Sequence, residues 1–434
     1  MTPSASTALL TDHYELTMLQ AALRDGTAQR HSVFELFARR LSGGRRYGVV
    51  AGIGRALDGL AEFRFGEAEL TWLAEQSIVD AATIAWLADY RFSGSMWGYP
   101  EGELYFPQSP VLIVEGSFAE CVVLETLLLS VLNHDSAIAT AASRMITAAG
   151  DRPCIEMGSR RTHEASAVAA ARAAYIAGFA ATSNLEAGRT HGIPTTGTSA
   201  HSFTLLHDTE REAFEAQILA LGPDTTLLVD TYDIPEAIRV AVEVAGTKLG
   251  GVRLDSGDLV SLARTVRRQL DDLGATGTRI TVTSDLDEHA IAALAAAPVD
   301  GYGVGTSLVT GSGVPTSGFV YKLVSRADDD GHMVAVAKKS TGKISVGGRK
   351  YALRRRDGAG LAQAEVIGIG ATPPADGDDR PLLVELVRDG ERLHTASLAD
   401  ARARLAASLA ELPGTARQLS RSDPTLPTVY EEPT

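Results

Sequence analysis

Residues 225–260, TTLLVDTYDIPEAIRVAVEVAGTKLGGVRLDSGDLV, hold two short apolar runs, each ending in a cluster of polar residues, with a helical segment between them. Short apolar runs alternating with helical segments read as βα units, and so as a parallel sheet or barrel. The rhythm starts after Gly150 and continues to about residue 318. In order, the polar clusters are MGSRR (157–161) before the alanine-rich helix 164–180, TSN (182–184), GTSAH (197–201) after IPTT, DTYD (230–233) after TLLV, RLDSGD (253–258) after LGGV, TSDLD (283–287) after RITV, and GYGVGTS (301–307) after PVD. Seven polar tips at strand-plus-helix spacing are the pattern of the C-terminal face of a β/α barrel, the face that carries the chemistry of such barrels. A doubly wound open sheet needs the tips split around a switch point, and no G-x-G-x-x-G opens the region.

On the N-terminal side, residues 1–150 read as a mixed α/β domain. Leu16, Leu19, Ala22 and Leu23 give a helix capped near Thr11 or Asp12, with Tyr14 in its first turn. HSVFELFARR (31–40) alternates like a strand and leads into a loop with Arg45 and Arg46, suited equally to phosphate or to solvent. Short strands over 91–118 and one long helix over 119–149 complete the domain. After residue 319, FVYKLVSR, HMVAVAKK and KYALRRR are strand-like again, so 319–434 is expected to return to the first domain. A helix over about 396–420 and a poorly ordered tail should follow.

At 434 residues the chain is too long for one average domain and can bury a large core. With 45% hydrophobic and 22% charged residues it has the composition of a soluble globular protein. A net charge of -14 argues against nucleic acid and anionic membranes, but not against phosphorylated small molecules held by local arginines and backbone N–H groups. Cys121 and Cys154 fit no metal spacing, and two cysteines cannot staple a chain this long, which points to a reducing compartment. No signal peptide and no uninterrupted apolar stretch of spanning length is legible, so a cytoplasmic location is expected.

Several tips offer chemistry. His201 can act as base, nucleophile or ligand; the structural alternative is that Thr198 or Ser199 caps a helix with His201 in its first turn. Arg160 and Arg161 adjoin a helix start, which suits phosphate, or else an interdomain salt bridge. Asp255 and Asp258 flank a Ser-Gly turn, where they could accept from sugar hydroxyls, hold Mg²⁺ or cap a helix. Gly303, Gly305 and Thr306 could cradle a phosphate. STGK at 340–343 is not a Walker A motif.

Taken together and in this order, TDHYELTM, MGSRRTH, GTSAHSF, DTYD, VRLDSGDL, GVGTSL and KKSTGKISVGGRK resemble nicotinate phosphoribosyltransferase over almost the whole chain. The resemblance implies a type II phosphoribosyltransferase: an irregular β/α barrel, an α/β N-terminal domain completed by C-terminal strands, and a homodimer with active sites at the subunit boundary. It implies that nicotinate and 5-phosphoribosyl 1-diphosphate give nicotinate mononucleotide and diphosphate in NAD biosynthesis and salvage, with Mg²⁺ and with ATP hydrolysed. By the same resemblance His201 is the histidine phosphorylated by ATP and Asp230 orients its ring. Thr198 and Arg253 hold nicotinate, Tyr14 stacks on it from the partner subunit, Arg160 and Arg161 meet phosphates, Asp255 meets the ribose hydroxyls, and Gly303, Gly305 and Thr306 take the 5-phosphate. The resemblance assigns no Mg²⁺ ligands. Two positions depart from the family pattern: Met157 stands where an aromatic or Leu is usual, and Gly347 where a Pro is usual. A site for nicotinamide should present an acid to the amide, whereas Thr198 and Arg253 favour a carboxylate.

Overall fold

The computed structural model describes residues 6–338 and 345–431; the STGK stretch, 340–343, lies outside them. The chain forms two compact units, Met1–Ala137 with Thr316–Thr434, and Ile138–Pro315. The division falls inside the helix Glu125–Ala149 and not at Gly150, because nothing in its sequence breaks the helical ladder there.

The second unit carries the βα rhythm. Its six strands are all parallel, in the order Ala181–Thr182, Cys154–Glu156, Gly301–Val304, Arg279–Ser284, Gly251–Leu254 and Thr226–Leu228. A parallel bridge between Thr182 and Thr195 adds a seventh stave beside the first of these. Followed around the sheet, the staves keep chain order, as in a β/α barrel, with an opening between Thr195 and Thr226–Leu228. The seventh stave stays a single bridge for a local reason: Pro194 can accept from Thr182 but has no N–H to donate, and Gly197 soon follows. The helices between staves bury one stripe each, as in Leu259–Asp272, where Ala263, Val266 and Leu270 face inward.

In the first unit, a seven-stranded antiparallel sheet runs Met333–Ala335, Phe319–Ala327, His31–Ala38, Leu112–Ser117, Ser95–Gly98, Val384–Arg388 and Glu391–Arg392. The C-terminal strand Phe319–Ala327 lies directly against His31–Ala38, with Phe34 stacked on Tyr321 at 4.8 Å between ring centroids. His31–Ala38 is buried on both faces beyond its first residue, so the expected alternation is absent; Glu35 is accommodated by the buried ammonium of Lys350. Arg45 and Arg46 are spent on internal bonds, to the Ala137 carbonyl and to Gln418 and Ser420. The tail corrects its expectation: Thr428–Glu431 pairs in parallel with Ala362–Ile369, because alternate backbone groups find partners in an otherwise open sheet edge. The expected long helix is two, Phe118–Val122 and Glu125–Ala149. Phe118–Ala149 is long and apolar enough to cross a bilayer, yet 61% of its most apolar window is buried inside the protein, as in a core helix.

Lys350 Nζ also donates to the carbonyls of Val346 and Gly348, so the buried pair is well satisfied. Lys350→Ala strands the Glu35 carboxylate and should destabilise the first unit by about 3–5 kcal/mol in urea unfolding, whereas Glu35→Leu/Lys350→Met together should be close to neutral. Equal losses in the single and double variants would refute this account.

Candidate active site

The tips of the second unit divide their polar residues between two tasks. Asn184, Asp233, Asp258 and Asp287 each cap the helix that follows, accepting from backbone N–H groups of its second or third residue. GTSAH differs: the helix His201–Leu206 has Ala200 at its N-cap and so no side-chain cap. Thr198 and Ser199 are therefore not caps. Instead Arg253 Nη1 donates to Thr198 Oγ1 at 2.6 Å and to the Ser199 carbonyl at 3.1 Å.

Arg253 projects from strand Gly251–Leu254 with 14% of its side chain exposed, and its Nε is buried without a hydrogen-bond partner. Burial lowers its pKa, nearby Arg160 adds to the effect, and Asp255 and Asp230 oppose it. A buried guanidinium with an unused N–H is a ready receptor for a carboxylate.

His201 is held through the next tip. Its Nδ1 lies 3.0 Å from Thr231 Oγ1, a hydrogen bond whose donor depends on the ring tautomer. Asp230 approaches the other nitrogen, Nε2, only to 3.9 Å, beyond hydrogen-bond reach. The bond that holds the ring therefore comes from Thr231 and not from Asp230. Asp230 is committed elsewhere: Oδ2 accepts from Asp255 N at 2.9 Å and Ser256 Oγ at 3.0 Å, and Oδ1 is buried with no partner. Thr231 was missed in the sequence, although its position next to Asp230 in DTYD was the available signal.

A cavity of about 250 Å³ is lined by Met157, Arg160, Arg161, Arg253, Asp255, Thr283, Ser284, Asp285, Gly303, Gly305 and Thr306. It gathers every expected phosphate and ribose residue. Among the described residues neither Arg160 nor Arg161 has an ion-pair partner, so their charge is available within the unit. Thr283 Oγ1 donates to Asp255 Oδ1 and holds that carboxylate in place. Gly303 lies inside a strand paired on both sides, where a Cβ would come within 2.5 Å of Thr283 and 2.7 Å of the Met157 sulfur; its missing side chain makes room for packing. Met157, the departure from the family pattern, thus fills space against the strand. Tyr14 belongs to the first unit, on the exposed side of His13–Asp25, with Leu10 and Met18 exposed at four-residue spacing.

Glu210, at the start of helix Glu210–Leu221, has a buried Oε1 without a partner. Burial, with Glu236, Asp230 and Asp233 adding repulsion, pushes its carboxyl from the ordinary 4.5 up to about 7. Folding therefore favours the neutral form, whose stabilisation is complete below about pH 4.5 and lost as pH rises through about 7. Glu210→Gln should melt at a higher temperature than the parent chain at pH 8 and at the same temperature near pH 4.5. Parallel melting profiles across that range would contradict the assignment.

A family model described as the nicotinate phosphoribosyltransferase N-terminal domain matches residues 9–133. The chain is 58% identical over 429 residues to a nicotinate phosphoribosyltransferase of Mycobacterium tuberculosis, covering 97% of this chain and 94% of that protein. It is 40% identical over 361 residues to the nicotinate phosphoribosyltransferase of Bacillus subtilis, covering 80% and 73%. The crystal structure of human nicotinic acid phosphoribosyltransferase matches with a TM-score of 0.82 at 26% identity over 97% of each chain.

Proposed function

Since the chain belongs to the nicotinate phosphoribosyltransferase family, we propose that its second unit joins nicotinate to 5-phosphoribosyl 1-diphosphate, coupled to ATP through phosphorylation of His201. The observation that carries the substrate reading is the buried Arg253, whose Nη1 is steadied by Thr198 while Nε has no partner. A carboxylate satisfies that N–H; an amide would bring no charge to the guanidinium.

In the transfer, the pyridine nitrogen bonds to the anomeric carbon while the bond to diphosphate breaks and its electron pair leaves with diphosphate. Positive charge builds on the sugar, so the site's work is positioning and charge balance. Arg160 and Arg161 receive the diphosphate, Asp255 takes the ribose hydroxyls, and the backbone near Gly305 and Thr306 takes the 5-phosphate. Magnesium, when bound, neutralises the leaving group. The residues suit it: Asp255 and Asp285 line the cavity, and Asp230 keeps an unused buried oxygen.

For ATP coupling, Thr231 occupies Nδ1 and leaves Nε2 as the nucleophile, which forms a bond to the terminal phosphorus as ADP departs. Water later cleaves the phosphohistidine and releases phosphate. The exposed Leu10, Tyr14 and Met18 support a homodimer in which Tyr14 reaches nicotinate from the partner subunit.

The first test is nicotinate mononucleotide formation with Mg²⁺, with and without ATP. His201→Ala should lose ATP stimulation and stable phosphorylation while keeping slow ATP-independent transfer; full stimulation in that variant would sink the assignment. Arg253→Ala should raise the KM for nicotinate on the order of a hundredfold and leave that for ATP little changed, since a charged hydrogen-bond pair is lost. Equal rises in both would point to a general folding defect.

A further inference from the structure

We propose that Glu156, Thr182 and Asn184 form a positioning brace for the 158–161 turn, so that Arg160 and Arg161 face the diphosphate; this rests on the proposed function above. The TSN tip has no role in the transfer, yet its side chains are the ones that reach the arginine turn. Glu156 closes the strand Cys154–Glu156 with no exposed surface. Its Oε1 accepts from the Gly158 amide and its Oε2 from Thr182 Oγ1. Thr182 Oγ1 in turn accepts from the backbone N–H of Asn184 at 2.9 Å, and the side-chain Nδ2 of Asn184 donates to Ser159 Oγ at 3.0 Å. Asn184 Oδ1 caps the helix Leu185–His191, which fixes the amide's orientation.

Two adjoining staves are thus tied, residue by residue, to the two residues that precede Arg160. The turn has little freedom on its other side. A Cβ at Gly158 would meet Val309 at 2.3 Å and the Gly305 carbonyl at 3.1 Å, while Met157 N donates to the Val304 carbonyl at 2.8 Å. Among the described residues no cation pairs with the Glu156 carboxylate, and burial raises its pKa against the pull of its two bonds. An apolar residue at 156 could pack the strand end, but it could not hold both the turn amide and the neighbouring hydroxyl. The brace ends beside the arginines, where error in placement directly weakens anion binding.

The test is calorimetric binding of inorganic diphosphate, with Mg²⁺, to the full chain. Thr182→Val keeps the shape and removes the hydroxyl; it should weaken binding on the order of tenfold, as loss of an outer hydrogen-bonding support does, and Thr182→Ser should restore it. In steady state, Thr182→Val should raise the KM for phosphoribosyl diphosphate by a similar factor and leave the KM for nicotinate within about twofold. Ser159→Ala removes the last link without touching the core and should weaken diphosphate binding about threefold, so it carries the test if Thr182→Val does not fold. Unchanged affinity in the folded variants, a Thr182→Ser as weak as Thr182→Val, equal rises in both KM values, or no diphosphate affinity in the parent chain would each overturn the brace. A parent chain that binds diphosphate with the expected pattern but makes no nicotinate mononucleotide would leave the brace standing and remove the substrate reading.

Discussion

One buried carboxylate, Asp230, organises the face of the second unit. With 2% of its side chain exposed, it must find donors inside the protein, and it finds them on the next tip, at Asp255 N and Ser256 Oγ. That tie sets where the Asp255 carboxylate stands, and Thr283 from the following stave completes its support. The other Asp230 oxygen is left pointing toward the His201 ring without bonding it. An unsatisfied buried oxygen costs stability, and this one lies 3.9 Å from His201 Nε2.

The same logic runs around the opening of the sheet. Neighbouring tips are tied sideways: GTSAH is held by Arg253, the His201 ring by Thr231, Asp255 by Thr283, and the arginine turn by Glu156 and Asn184. Parallel strands deliver all their carboxyl ends to one edge, so polar side chains from distant parts of the sequence become neighbours. The helices supply the second half of the arrangement, because the last polar residue of most tips is consumed as an N-cap and only the remainder is free for ligands. The GTSAH tip, with no side-chain cap, is the one that carries the histidine.

The first unit solves a different problem. Its interior strand His31–Ala38 is buried on both faces and contains Glu35, so a cation had to be brought to it from strand Lys350–Arg356, more than three hundred residues away. Arg354 is likewise buried, donating to Glu365 and to the Leu104 carbonyl. Such pairs link the C-terminal strands to the rest of the unit, and removing one partner leaves the other's charge buried and unpaired.

Much of this was legible in the amino-acid order. The seven tips, the parallel rhythm, the return of the C-terminal strands and the candidate phosphate and ribose residues Arg160, Arg161, Asp255, Gly303, Gly305 and Thr306 follow from local periodicity and from side-chain types at strand ends, which are short-range properties of the chain, whereas Arg253 was singled out only by the family resemblance. What a carboxylate or hydroxyl does with its hydrogen bonds is a long-range property. DTYD does not say that Asp233 caps a helix, that Thr231 holds the imidazole, or that Asp230 turns to Asp255; the three differ only in which direction the folded backbone aims them. Glu156 reads as the end of a strand, and TSN as one more polar tip, until the sheet sets them against the arginine turn. The sequence determined which groups are present at each strand end, because spacing and polarity are local; tertiary structure alone decided their partners, because a hydrogen bond depends on distance and angle between residues the sequence keeps far apart.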